Sequence, residues 1–381
     1  MTWEKVKLGD CCESITDGDH QTLPLSDNGI PFIIISDINQ TNNRIDFKNA
    51  RYVPKKYYEA LDIKRKAQKG DVLYTVKGSF GIPIYVHEET PFVFQRDIAI
   101  LKCNKLMNSH FLFYVMKSKQ FYQIADALAI GSAQRAITLN TLRNMQVPLP
   151  TLNEQEHIVQ ILSAYDDLIE NNQKQIKLLE EAAQRLYKEW FVDFCFPEHE
   201  TTPIINGLPE GWVMGMLGQL VEFKRGQMIT KDLVQHGTVP VVAGGLEPAY
   251  YHNIANTKAP VITVSGSGAN AGYTRMYHVD VFASDCSFAD SNSTSFLAYA
   301  YCFLIEKKND LKHMQKGSAQ PHVYAKDINA LPILIPGVHV LKKFCDIVTK
   351  MQNEIGFLEK QNTFLMQARD CLLPKLMNEE I

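Results

Sequence analysis

Leu149–Phe191 reads LPTLNEQEHIVQILSAYDDLIENNQKQIKLLEEAAQRLYKEWF. Ile158, Leu162, Tyr165, Ile169, Asn172, Ile176, Leu179, Ala183, Leu186 and Trp190 step alternately by four and three. Such stepping places one stripe on one side of an α-helix, the seam of a coiled coil. Asn153 is the expected N-cap, with Glu154 and Glu156 in the first turn, where acids are favoured. Pro150 and Pro197 bracket the segment. At about 1.5 Å per residue, residues 153–190 span roughly 57 Å.

The same phase returns near the end of the chain, in Phe344, Val348, Met351, Ile355, Leu358, Asn362, Leu365, Arg369, Leu372 and Leu376, at an offset of 186. Sliding residues 131–190 onto 317–376 gives 12 identities in 60, beginning with Gly131-Ser132-Ala133-Gln134 against Gly317-Ser318-Ala319-Gln320. Upstream, Thr75-Val76-Lys77-Gly78-Ser79 resembles Thr263-Val264-Ser265-Gly266-Ser267 at an offset of 188. The chain therefore reads as domain, helix, domain, helix. If the helices pair antiparallel with position numbers summing to 534, Ile158 meets Leu376, Trp190 meets Phe344 and Asn172 faces Asn362. Facing asparagines satisfy each other's amides where either against leucine could not, which fixes register. A parallel or intermolecular pairing stays open.

Short apolar runs at Pro31–Ile35, Val72–Val76, Ile98–Leu101 and Val261–Val264 read as strands, and 108–128 and 292–313 as helical. The expected fold class is α+β: two similar domains with curved sheets, at 1–150 and 205–336, separated by two long helices, at 151–197 and 337–377, that form an antiparallel coiled coil.

The chain carries 39 Lys and Arg against 42 Asp and Glu, a net charge of −3 that at face value argues against DNA as a partner. The deficit is local. Residues 1–150 sum to +4, 151–200 to −7, and the remainder is neutral. The eight cysteines contain no C-x-x-C pair, which fits reduced thiols in a cytoplasm. No run of about 18 apolar residues suggests a membrane span, and the first residues lack a signal-peptide layout.

Catalytic motifs are missing. There is no G-x-x-x-x-G-K-[ST], no G-x-G-x-x-G, no Asn-Pro-Pro-aromatic tetrapeptide and no H-E-x-x-H. Glu306-Lys307-Lys308 with Asp290 has a metal-nuclease spacing, but so common a tripeptide reads more simply as a charged turn. Gly266-Ser267-Gly268 could suggest a phosphate cradle, yet no helix-opening lysine follows. A binding protein is the better reading.

Polar, glycine-rich loops in both domains suit groove contact. Lys77 and Ser79, and Ser265, Ser267 and Asn270, flank glycines whose backbone amides can approach a phosphate closely. Gln95, Arg96, Gln134 and Arg135 supply side chains that pair with adenine and guanine edges. His20, in Asp17-Gly18-Asp19-His20-Gln21, and Arg225, Gln320 and His322 are further candidates. Each has a plain alternative as an ordinary turn or surface residue.

The run Leu149–Gln155, then Ile161–Asn172, then Leu178–Phe191, resembles the central helix of specificity subunits of type I restriction–modification systems, and Arg369–Met377 resembles the end of their distal helix. The resemblance covers essentially the whole chain. It implies two target-recognition domains reading the halves of a bipartite site on double-stranded DNA, which here is asymmetric because the two domains differ. It implies two modification subunits carrying S-adenosylmethionine, with no cofactor in this chain, and motor-nuclease restriction subunits as further partners, all in the cytoplasm. One departure stands out: Glu154-Gln155 is replaced by Val340-Leu341 in the second copy, so the two docking surfaces are expected to differ. A coiled-coil scaffold without DNA readout is the alternative.

Overall fold

A computed structural model describes residues 3–18, 23–39, 42–131, 134–313 and 322–378. The chain divides into two compact units, residues 1–168 with 365–381, and residues 169–364.

In the first unit, Lys5–Lys7 pairs antiparallel with Gln146–Pro148 and ties the domain's two ends together. A four-stranded antiparallel sheet runs Cys12–Asp17, Ile98–Cys103, Val72–Thr75, Pro83–Tyr85. Beside it, Ile30–Ile33 pairs antiparallel with Arg51–Val53 and parallel with Val93–Phe94. The central strands are buried on both faces, which explains why they read as continuous apolar runs rather than alternating ones. Val72, Tyr74, Ala99 and Leu101 pack into one core with Phe111 and Tyr114, while Leu73, Ile98 and Ile100 pack into another with Ile33 and Phe94.

The second unit repeats this plan. Val213–Met216 pairs with Pro332–Ile335, and the four-stranded sheet runs Lys224–Arg225, Cys286–Asp290, Val261–Ser265, Thr274–Tyr277. Val239–Val242 again pairs antiparallel with one neighbour, Tyr250–His252, and parallel with another, Phe282–Ala283. The internal repeat is therefore one of topology as well as of sequence.

The expected helix at 108–128 is two, Ser109–Lys117 and Lys119–Leu128. Ser118 leaves the helical conformation between them and its hydroxyl accepts from Phe121 N (3.2 Å), a cap that interrupts an otherwise helical pattern. Likewise 292–313 resolves into Leu297–Glu306 and Lys308–His313.

The two long helices are Leu152–Phe191 and Val338–Met377, each of 40 residues. The cap of the first is not Asn153 but Thr151. The Thr151 amide and hydroxyl both donate to Glu154 Oε2 (2.8 and 2.7 Å), and Glu154 N donates back to the Thr151 hydroxyl (3.4 Å), a capping box. Within the second unit, Asn172 Nδ2 donates to Asn362 Oδ1 (2.9 Å) and to Gln361 Oε1 (2.8 Å), and the Trp190 and Phe344 rings lie 5.8 Å apart. These are the pairs of the antiparallel register, one of the arrangements the heptads allowed. In the first unit Ile158 and Leu162 share a core with Leu373 and Leu376.

Two polar residues of the helices are structural. Gln155 is fully buried: its Oε1 accepts from Asn108 N (2.7 Å), and its Nε2 donates to the carbonyls of Leu106 (3.0 Å) and Pro150 (2.9 Å). Its repeat-equivalent, Leu341, sits in an apolar core. The lost Glu-Gln pair thus exchanges an internal polar brace for a hydrophobic one. Arg369, at a stripe position, is buried against Asp166 and Asp370, and Asp166 also accepts from the Tyr114 hydroxyl (2.8 Å) and lies 3.8 Å from Lys117 Nζ.

Candidate nucleic-acid interface

Loops from four parts of the sequence meet at one end of the strands of the four-stranded sheet in the first unit. Val76 N donates to the Asp97 carbonyl (2.8 Å), which joins the turn after Val72–Thr75 to the turn at 95–97. Ile137 N donates to the Val76 carbonyl (2.9 Å) and Lys77 bridges Ala136, which adds the loop that contains Gln134 and Arg135. Asp17-Gly18 closes the group: a Cβ on Gly18 would stand 2.2 Å from the Phe94 carbonyl oxygen, so only glycine lets these backbones approach.

The second unit builds the same rim from different residues. Gly266 N donates to the Asp285 carbonyl (3.1 Å), Val323 N to the Gly266 carbonyl (3.1 Å), and Ser267 bridges His322. Gly226 mirrors Gly18, with a Cβ that would stand 2.2 Å from the Ser284 carbonyl oxygen. Hydrogen bonding therefore equates Val76 with Gly266, Lys77 with Ser267, Asp97 with Asp285 and Ala136 with His322.

This corrects the alignment of Thr75–Ser79 with Thr263–Ser267. The true offset there is 190, two residues from the 188 that matching letters suggest, although 186 holds at Ala136 and His322. A shift of two keeps every side chain on the same face of a strand, so hydrophobic pattern could not expose it.

Most of the expected contact residues fall on these rims. Ser79, Arg96, Gln134 and Arg225 are exposed, and Lys77, Gln95, Asn270 and His322 are half-buried. Four are engaged within the protein. Ser265 is buried and its hydroxyl donates to the Gly244 carbonyl (3.1 Å). Arg135 pairs with Asp126 through Nη2 (2.9 Å) and Nε (3.1 Å). Ser267 donates to Asp285 Oδ2, and the Gln95 side-chain amide to Asp97 Oδ2. His20 and Gln320 lie outside the described residues, as do Ser132-Ala133 and Gly317-Ser318-Ala319.

Around His322 the second rim holds a cavity of about 230 Å³, lined by Arg225, Asp285, Ser287, His322 and Tyr324 among others. The His322 and Tyr324 rings stack 5.8 Å apart at 8°. A cation, a carboxylate, a hydroxyl and an imidazole thus line one pit. Asp97 belongs to the Gln95-Arg96-Asp97 turn legible in the sequence, but its counterpart Asp285 was missed, because acids are expected to avoid phosphate and nothing local marks Asp285 as lying on the rim.

The residues of the nuclease reading have local tasks instead. Asp290 is buried and accepts from Lys258 N (2.9 Å) and the Ser293 hydroxyl (2.9 Å), and Glu306 pairs with Lys188 (3.4 Å). Among the described residues no group of three or more His, Cys, Asp or Glu is placed to hold a metal ion.

Residues 1–181 and 209–365 match the family model described as type I restriction modification DNA specificity domain. The chain is similar to the type I restriction enzyme MjaIX specificity subunit of Methanocaldococcus jannaschii, 27% identical over 304 residues that cover 72% of this chain and 69% of that one. It is also similar to the type I restriction enzyme HindI specificity subunit of Haemophilus influenzae, 27% identical over 203 residues, 50% of this chain and 41% of that one. The solved S subunit of a Mycoplasma genitalium type I restriction-modification system superposes with a TM-score of 0.63 at 18% identity, covering 99% of this chain and 96% of that one, a likeness of fold.

Proposed function

Because the chain belongs to the type I restriction modification DNA specificity family, we propose that it reads a bipartite, asymmetric target on double-stranded DNA, one half with each rim, and docks two modification subunits. The chain is the recognition subunit and not the catalytic one. S-adenosylmethionine and the methyl transfer belong to the modification partners, and motor-nuclease subunits join the same assembly for restriction, in the cytoplasm. No helix among the described residues is long and apolar enough to cross a membrane.

The observation that carries this reading is the duplicated rim: one backbone framework occurs twice and presents different side chains, Lys77 against Ser267 and Ala136 against His322. Two readers of equal geometry and unequal chemistry suit two unlike half-sites. Backbone amides and the cations Lys77, Arg96 and Arg225 can position phosphates, while Arg96 and Gln134 can address base edges. The acids of residues 151–200 do not oppose this, because several are committed within the protein: Glu154 in its cap, Asp166 with Arg369, Glu170 with Lys174 and Glu198 with Lys343.

The test is a map of methylated bases across the source genome with and without this chain. One two-part motif should vanish on deletion, and binding by the chain with its modification partner should fall steeply with salt, by about 0.9 in log affinity per log salt for each phosphate neutralised. Equal binding to all duplexes would overturn the proposal and favour a scaffold without readout.

A further inference from the structure

We infer that Asp97 and Asp285 are specificity-determining residues, each of which accepts a hydrogen bond from the exocyclic amino group of a cytosine or adenine in its own half-site. The inference rests on the reading of the rims as DNA-facing and names a chemistry for them.

The two aspartates occupy one structural position twice, since the carbonyl of each accepts from the turn beyond the neighbouring strand, from Val76 N and from Gly266 N. Around them the side chains differ, yet the acid is present in both. Each carboxylate is half engaged: Asp97 Oδ2 accepts from the Gln95 amide and Asp285 Oδ2 from the Ser267 hydroxyl. The other oxygen of each has no hydrogen-bond partner among the described residues, and both residues are half-buried rather than free on the surface. Room for Asp285 is made by Gly244 and Gly266, where a Cβ would come within 3.7 and 3.3 Å of its carboxylate oxygens.

A carboxylate on a face that meets phosphates is repelled by them, so a merely structural role would be served as well by a neutral acceptor. A fixed acceptor has a use at a base edge. Cytosine N4 and adenine N6 donate in the major groove, whereas guanine O6 and thymine O4 are acceptors and would be repelled. Gln95 and Ser267 then hold the carboxylates in place, and Gln95 is the positioning residue for Asp97.

The experiment selects bound sequences from a randomised duplex library, using the full chain with its modification partner. The wild-type complex should recover a two-part motif. Asp97→Asn should lose roughly 5- to 150-fold of discrimination at one base pair of one half-site, and Asp285→Asn the same in the other half, the range expected for one base contact. Asparagine keeps the acceptor toward Gln95 or Ser267 and offers an amide instead of the free oxygen, so the preference should shift toward guanine or thymine. A companion measurement leaves the protein unaltered: the wild-type complex is given target duplexes whose cytosine or adenine at that pair lacks its amino group, and its affinity should fall by a similar factor. Unchanged selection by both variants, with no loss on the amino-free duplexes, overturns the assignment. If the wild-type complex itself recovers no motif, the reading of the rims fails instead.

Discussion

Arg369 stands at a stripe position of the second long helix, where an apolar residue is expected, and it is tolerated because Asp166 faces it. Burial alone would raise the Asp166 carboxyl, but the charges of Lys117 and Arg369, with bonds from Arg369 and Tyr114, hold it below the usual range. Burial also pushes Lys117 down to about 8. Because the folded-state value of Asp166 is lowered, its stabilisation is fully present above the unfolded value of about 3.9 and is lost as the pH falls through the folded value. Asp166→Asn should therefore cost about 2–3 kcal/mol near pH 7, somewhat less than a fully enclosed pair because the side chain keeps 24% of its exposure. Denaturant titrations should show that gap constant between about pH 5 and 7, shrinking below pH 4 as Asp166 protonates and again above about pH 8 as Lys117 loses its charge; a gap that widened on acidification below pH 5 would refute the account. The heptads reveal Arg369 as an exception and set it opposite Tyr165, but its partner is the adjoining Asp166, which lies off the stripe. The rims behave similarly. Lys77, Ser79, Arg96 and Gln134 are legible as loop chemistry, whereas the burial of Ser265 and the capture of Arg135 by Asp126 depend on tertiary neighbours.

The long helices are the elements the sequence specifies most fully, because period, length and register all derive from side chains within them. The Asn172–Asn362 layer was legible since two polar interruptions become compatible in one antiparallel register only. Their repeat equivalents, Leu358 and Ile176, are apolar, so the polar layer is not duplicated, and a slip by one heptad would set either Asn362 against Leu179 or Asn172 against Ile355. Asn172→Leu should cost about 1–3 kcal/mol, because Asn362 and Gln361 lose a donor. The double variant Asn172→Leu with Asn362→Leu should recover much of that loss. Thermal unfolding of the four proteins of this cycle measures the coupling, and additive losses would show that the pair is not a unit. Local capping was less legible than register. Thr151 rather than Asn153 starts the first helix, since a Thr-x-x-Glu box closes both ways while Asn153 would leave Glu154 without its backbone partner. The sheets were legible only as strands. Their order arises from pairings as distant as Lys5–Lys7 with Gln146–Pro148, about which local pattern is silent.

On the scale of the molecule, each unit is assembled from distant pieces of chain, and this sets how the protein should fail. The first unit takes residues 365–381 from the far end of the sequence, and with them Leu373 and Leu376, which are buried in the core that also holds Ile158, Leu162, Phe111 and Tyr114. Arg369, the partner of Asp166, comes with the same segment. The second unit, residues 169–364, needs none of them. Ending the chain after Phe364 should therefore damage a domain whose own sequence is untouched. Removing a buried leucine costs about 2–5 kcal/mol, so losing two together with the Arg369 pair approaches the whole stability of an ordinary domain. Hydrogen exchange of the truncated chain should show protection lost at Phe111–Tyr114 and Ile158–Leu162, while Val261–Ser265 and Leu297–Glu306 stay protected. In binding selections the truncated chain with its modification partner should then lose the half of the motif that Asp97→Asn perturbs and keep the half perturbed by Asp285→Asn. Equal loss of protection in both units would mean that they fold as one cooperative body, and the division of labour between the rims would have to be reached by another route.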